Sequence, residues 1–130
     1  MPDRTDGLWN STCFEVFLTK QDGSYVEFNF APSRKWAGYR FESYREGMAA
    51  ALDLQAPDIF TEYSERRAAL TAYIDFPAGE SDTLQSAGLA AVMEETDGTK
   101  SYWALAHPPG APDFHHPTCF AAALPAPEVS

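Results

Sequence analysis

Basic residues are scarce in this chain: nine Lys and Arg stand against 19 Asp and Glu, a formal net charge of −10. A surface of that sign gains nothing from releasing phosphate counterions, so neither nucleic acid nor an anionic membrane is expected as a partner. No apolar run approaches the length of a membrane span. The start, Met1-Pro2-Asp3-Arg4, has no h-region, from which a cytoplasmic location is expected. Cysteine is reduced to Cys13 and Cys119, each inside a Thr-Cys-Phe triplet. One such pair is weak ground for a disulfide, and free thiols are expected. There is no Gly-rich phosphate loop, no serine elbow and no Cys-His pairing at a recognisable spacing.

What is present is a folding composition: 45% hydrophobic and 14% aromatic residues in 130, enough for one domain over residues 1–130. Its most informative stretch runs from Gly7 to Pro32. Gln21-Asp22-Gly23 fits a three-residue hairpin loop with Gly23 at the left-handed position, so that Lys20 pairs with Ser24. That register sets Phe14, Val16 and Leu18 opposite Phe30, Phe28 and Val26 on one apolar face. The other face holds Cys13, Glu15, Phe17 and Thr19 against Tyr25, Glu27 and Asn29. A two-residue turn would slip the pairing by one and bring Glu27 beside Leu18.

Alternation continues through Trp36 to Tyr44, and the mixed face is expected to extend there with Trp36 and Arg40. Residues 1–6 read as loose, and Arg45 to Pro57 as an irregular connection or a short helix. Further strands are expected at Ile59 to Arg66 and at Leu70 to Phe76, with Leu70, Ala72, Ile74 and Phe76 inward. Leu89 to Glu95 and Tyr102 to His107 flank a hairpin signal at Asp97-Gly98. His107 to Pro117 holds four prolines and must be an extended loop, and Cys119 to Leu124 reads as a closing strand. The sum is an all-β fold, an antiparallel β-sandwich of the immunoglobulin or jelly-roll kind, with room for a short helix. The competing reading is α+β, with helices at Glu65 to Leu70 and Gln85 to Glu94.

Aromatic rings interleaved with carboxylates and an amide suit a sugar, whose C–H faces stack while its hydroxyls need hydrogen-bond partners. Trp9, Glu15, Glu27, Asn29, Trp36, Arg40, His107 and Phe114 are the candidate binding residues. Against this stands a structural role, with Glu27 paired to Arg40 and the tryptophans in the core; Trp103, inside a strand, is read as core. A zinc site at His115, His116 and Cys119 matches no strong spacing pattern. Glu15 and Glu27 are diagonal neighbours, a pairing glycosidases also use, but no deep cleft is expected and the chain is not read as an enzyme.

Three segments carry a resemblance: Leu8 to Phe17, Glu27-Phe28-Asn29-Phe30-Ala31-Pro32, and Ser101 to Pro108 with Pro112 to His115. In that order they resemble DOMON-like domains related to family 9 carbohydrate-binding modules. The resemblance implies a β-sandwich and a carbohydrate partner, with Trp9 and Phe114 as aromatic plates and Glu15 and Asn29 as polar contacts. Glu27 departs from it, standing where the family has a basic residue. The resemblance also implies strand sequence ahead of Trp9, whose lack would leave a sheet edge open to a homodimer. No cofactor is expected. Calcium is a minor alternative, as is haem, since DOMON relatives include haem binders with Met and His ligands, for which Met48, Met93 and His107 are the candidates.

Overall fold

The computed structural model describes residues 3–124. The chain is all-β. Its strands are β1 (Asp3–Arg4), β2 (Cys13–Lys20), β3 (Tyr25–Phe30), β4 (Lys35–Phe41), β5 (Ala49–Ala50), β6 (Asp58–Tyr63), β7 (Ala68–Tyr73), β8 (Leu84–Glu94), β9 (Lys100–Ala104) and β10 (Ala122–Ala123). Helical structure among the described residues is limited to three 3-10 turns, at Leu8–Asn10, Ser81–Thr83 and Pro117–Cys119. The large sheet runs β1-β4-β3-β2-β8-β10, with β5 beside β4 and β9 beside β8, while β6 and β7 pair only with each other. All pairings are antiparallel except β1 with β4.

The β2–β3 hairpin has the expected register, Glu15 opposite Asn29 and Phe17 opposite Glu27. Gly23, at φ 88°, closes the loop by donating to the Lys20 carbonyl at 3.2 Å, and Lys20 N–H donates to the Ser24 carbonyl at 2.9 Å. Only a residue that tolerates positive φ completes a loop of this length without splaying the strands.

Each face of the large sheet then buries a separate core. Val26, Phe28, Phe30 and Trp36, with Phe14, Val16 and Leu18, pack beneath the β6–β7 hairpin, which contributes Ile59, Leu70 and Ala72, followed by Ile74 and Phe76. The second layer of the sandwich is therefore one hairpin. On the opposite face Phe17, Tyr25, Tyr39, Phe41 and Val92 meet Phe114 and Phe120 from the C-terminal loop. Irregular chain, not a sheet, covers this side. Gly88 permits the approach: a Cβ there would lie 2.9 Å from the Cys119 carbonyl oxygen and 2.9 Å from Phe120 Cδ1.

Several expectations are corrected. Asp3 and Arg4 are not loose but pair with Lys35 and Trp36, and Arg4 lies over the Trp36 ring at 4.3 Å while donating to the Ala51 and Leu54 carbonyls. Residues 85–94 lie within β8, where burial between β2 and β9 overrides their helix-friendly composition. The closing strand shrinks to Ala122–Ala123, because Pro117 initiates a 3-10 turn through Cys119. Trp103 is exposed, since β9 is an outer strand, and its Nε1 donates to Ser101 at 2.9 Å. The Pro125 and Pro127 tail lies outside the described residues.

Candidate functional site

Pleating sends alternate residues of β2, β3 and β4 to opposite sides of the sheet, and this sorts the candidates. Trp36 pairs with Phe30, and Arg40 with Val26, so both belong to the face covered by β6–β7. Trp36 is 2% exposed in that core and cannot stack on a ligand. Arg40 is held there by Glu80, 2.7 Å from Nη2, and by Asp53 at 2.8 Å, with Lys20 joining Glu80 at 2.7 Å. The mixed face extends into β4 through Ala37, Tyr39 and Phe41, and neither Trp36 nor a Glu27–Arg40 pair contributes to it.

On that mixed face the sheet and the loops over it enclose an open cavity of about 520 Å³. Glu15 and Glu27 form its floor, with Trp9, Phe114, Tyr102 and His115 among its walls. Gly7, at φ 76°, turns the chain into the 3-10 turn that presents Trp9, whose ring meets Tyr39 edge-on at 5.9 Å. Trp9 stays 41% exposed. Phe114 packs against Tyr102 at 6.2 Å on one side and His107 at 6.0 Å on the other. His107 packs on Phe114 and does not line the cavity.

The floor is electrostatically unusual. Glu15 and Glu27 are 5% and 4% exposed, and among the described residues the Glu15 side chain makes no hydrogen bond or ion pair. Burial raises the Glu15 carboxyl to about 7, with only the distant Arg45 charge opposing. Burial, reinforced by the neighbouring Glu15, raises Glu27 to about 8, while Asn29 and Arg45 pull the other way. The Asn29 carboxamide is fully buried, and neither its nitrogen nor its oxygen has a hydrogen bond of acceptable geometry among the described residues.

His115 Nε2 lies 3.4 Å from Glu27 Oε1. Burial, with the Arg45 charge, lowers this imidazole to about 4, so it stands neutral beside a largely protonated carboxyl. Its Nδ1 is 2.8 Å from the Tyr25 hydroxyl, which also accepts from the Arg45 backbone N–H at 3.1 Å. With Tyr25 donating to Nδ1, the imidazole proton sits on Nε2, facing Glu27. The ring is further fixed edge-on between Phe17 and Phe41, each at 5.0 Å.

Asp113 anchors the loop that carries His115. It accepts from Arg45 Nη2 at 2.7 Å, from the Tyr44 hydroxyl and from the His115 backbone N–H. Arg45 reaches it from a left-handed backbone conformation, φ 52°, in the tight turn between β4 and β5. A non-glycine residue at positive φ is strained, and such strain persists where surrounding contacts hold it. Arg45 and Tyr102 are not marked by the sequence, and His115 only as one of three zinc candidates in and just after the proline-rich loop. Nothing local marks an arginine turn residue or one histidine of an adjacent pair as facing a cavity floored by Glu15 and Glu27; only the three-dimensional fold brings them together.

Trp9, Glu15, Glu27 and Phe114 are thus brought together, with Asn29 beneath them, whereas Trp36 and Arg40 are not. The haem candidates do not converge: Met48 lines the cavity, Met93 points to the opposite sheet face from Val92, and His107 packs on Phe114. His116 Nδ1 accepts from Thr118 N–H and Cys119 Sγ donates to the Asp113 carbonyl, so His115, His116 and Cys119 are separately engaged. Among the described residues no group of three or more His, Cys, Asp or Glu is arranged to hold a metal ion. Both cysteines are free and buried. No described helix is long and apolar enough to cross a membrane. No protein-family model, curated protein or solved structure matches this chain.

Proposed function

We propose that the protein is a non-catalytic carbohydrate-binding domain. The observation that supports this reading is the placement of two buried carboxyl groups at the floor of an open cavity with Trp9, Tyr102 and Phe114 around it. An indole face and tilted phenyl rings suit the apolar C–H faces of a pyranose. Carboxyls that titrate near neutrality both donate and accept, which matches the dual character of sugar hydroxyls. Two ring contacts and a few hydrogen bonds, each at about 1 kcal/mol, give a Kd between about 1 mM and 1 μM. Calorimetric titration of mono- and oligosaccharides tests this, with heat expected from the natural chain and lost in Trp9→Ala. Absence of heat with every sugar would overturn the reading.

A second reading, self-assembly, is favoured by one observation at the other side of the sheet. β9 is paired along only one edge among the described residues, and its Trp103 is 62% exposed. The opposite edge, on β4, is partly covered by β1 and β5. An uncovered outer strand is a template for pairing with a second copy. Light scattering across a concentration series distinguishes this, since an edge-paired dimer grows with concentration and a monomer of constant mass rejects it.

A further inference from the structure

Two acids share the cavity floor, yet among the described residues no Lys or Arg forms an ion pair with either. Among the described residues Glu15 has no ion-pair partner, and the one group within ion-pair distance of Glu27 is His115, at 3.4 Å, an imidazole kept neutral by burial. Arg45 lines the cavity but its guanidinium is committed to Asp113 at 2.7 Å, and Lys100 faces Glu94 at 3.8 Å. Beside Glu15, the buried Asn29 amide lies near enough to Glu27 to draw its carboxyl down, yet neither of its polar atoms makes a hydrogen bond of acceptable geometry among the described residues. These groups stand on two adjacent strands in a register fixed by a tight hairpin, so the arrangement is built into the sheet.

A neutral sugar can hydrogen-bond to such carboxyls but does nothing to stabilise their ionised form. An ammonium group stabilises that form, by displacing their protons: in a poorly solvated site, charge-assisted hydrogen bonds are about twice as strong as neutral ones. The lining favours the same ligand, because aromatic rings such as Trp9, Tyr102 and Phe114 attract a cation as well as stacking on a sugar ring. The charge of −10 on the whole chain steers cations toward it. We propose that the cavity selects a cationic amino sugar, its ammonium held between Glu15 and Glu27 and its ring against Trp9. This rests on the carbohydrate reading and narrows it to a ligand class.

Isothermal titration calorimetry of the full chain at about pH 6.5, below the pKa of a sugar amine, tests it with glucosamine, N-acetylglucosamine, glucose and methylammonium. The expected result is glucosamine binding about tenfold or more tighter than either neutral sugar. Its heat should depend on the buffer's ionisation enthalpy, because the ammonium displaces protons from the floor carboxyls. Glu27→Gln, which keeps the shape, should reduce the glucosamine preference to within about threefold of glucose. Equal affinity for glucose and glucosamine overturns the inference and leaves the carbohydrate reading standing. Binding of methylammonium with no response to any sugar, glucosamine included, overturns both the amino-sugar inference and the carbohydrate reading. Silence from all four overturns both.

Discussion

Glu27 Oε1 lies 3.4 Å from His115 Nε2, a contact that joins the floor of the large sheet to the C-terminal loop above it. Both groups are buried, and burial shifts them in opposite directions: the carboxyl rises to about 8 and the imidazole falls to about 4. Each is thereby held uncharged near neutral pH, and their titrations are linked because a proton gained by one changes the field at the other.

Stability is expected to fall as pH rises. Glu15 and Glu27 retain protons in the folded chain that the unfolded chain releases above about 4.5, until the folded carboxyls ionise near 7 and 8. Proton uptake on folding makes the stability slope negative over that window. His115 acts oppositely, costing stability below 6.5 as the unfolded imidazole gains its proton and the folded one does not. The opposing effects partly cancel between about 4.5 and 6.5, so the steepest loss lies between about 6.5 and 8. With a tenfold change in ionisation constant worth about 1.4 kcal/mol, the total is on the order of a few kcal/mol. Thermal unfolding should show a lower Tm at about pH 8.5 than at about pH 6, and Glu27→Gln should flatten the dependence. A Tm that is constant or rises across this range contradicts the assignment.

The tryptophans at positions 36 and 9 should behave as different kinds of residue. Trp36→Ala removes a ring that is 2% exposed, packed among Phe28 and Phe30 and covered by Arg4, and should cost about 3–5 kcal/mol in urea unfolding. Trp9→Ala, at a ring 41% exposed, should cost about 1 kcal/mol or less while removing ligand heat. Equal destabilisation by the two substitutions would mean that Trp9 is a packing residue.

Gly88→Ala should be destabilising although its strand position would favour alanine. The new Cβ meets the Cys119 carbonyl and the Phe120 ring at 2.9 Å, so the loop must lift from the sheet at a cost of about 1–3 kcal/mol. Urea midpoints read the loss. A stabilised variant would show that the loop does not rest on β8.

Both thiols should be inert in the folded protein. Burial raises Cys13 and Cys119, and for Cys13 the Glu15 and Glu27 charges add to it. Thiolate is the reactive species, so a disulfide-exchange reagent should report little native reaction at about pH 8 and two thiols once urea is added. Fast labelling of either cysteine before unfolding would contradict the packing around it.

The β2–β3 register was legible because Gly23 and two runs of alternating residues admit one pairing that keeps acid out of the Phe14–Phe30 face. Beyond the hairpin the same alternation misplaced Trp36 and Arg40. A strand's sequence separates its residues into two sets but does not say which set continues a neighbour's face, and here Phe30 opposite Trp36 decided it. The helix-friendly run in β8 misled for a related reason, since local propensity is weaker than burial between two strands.

Sequence alone determined the composition of each hairpin face, the acidic charge, and the presence of a proline-stiffened segment near the C-terminus that could not join a ladder. Those follow from backbone stereochemistry and pairing between neighbours in the chain. Only the tertiary structure decided that this segment folds over the acids and brings His115 to Glu27 and Phe114 into the same cavity as Trp9. Burial is a property of everything packed around a group, so the neutral floor of the cavity could not be read from any stretch of the chain by itself.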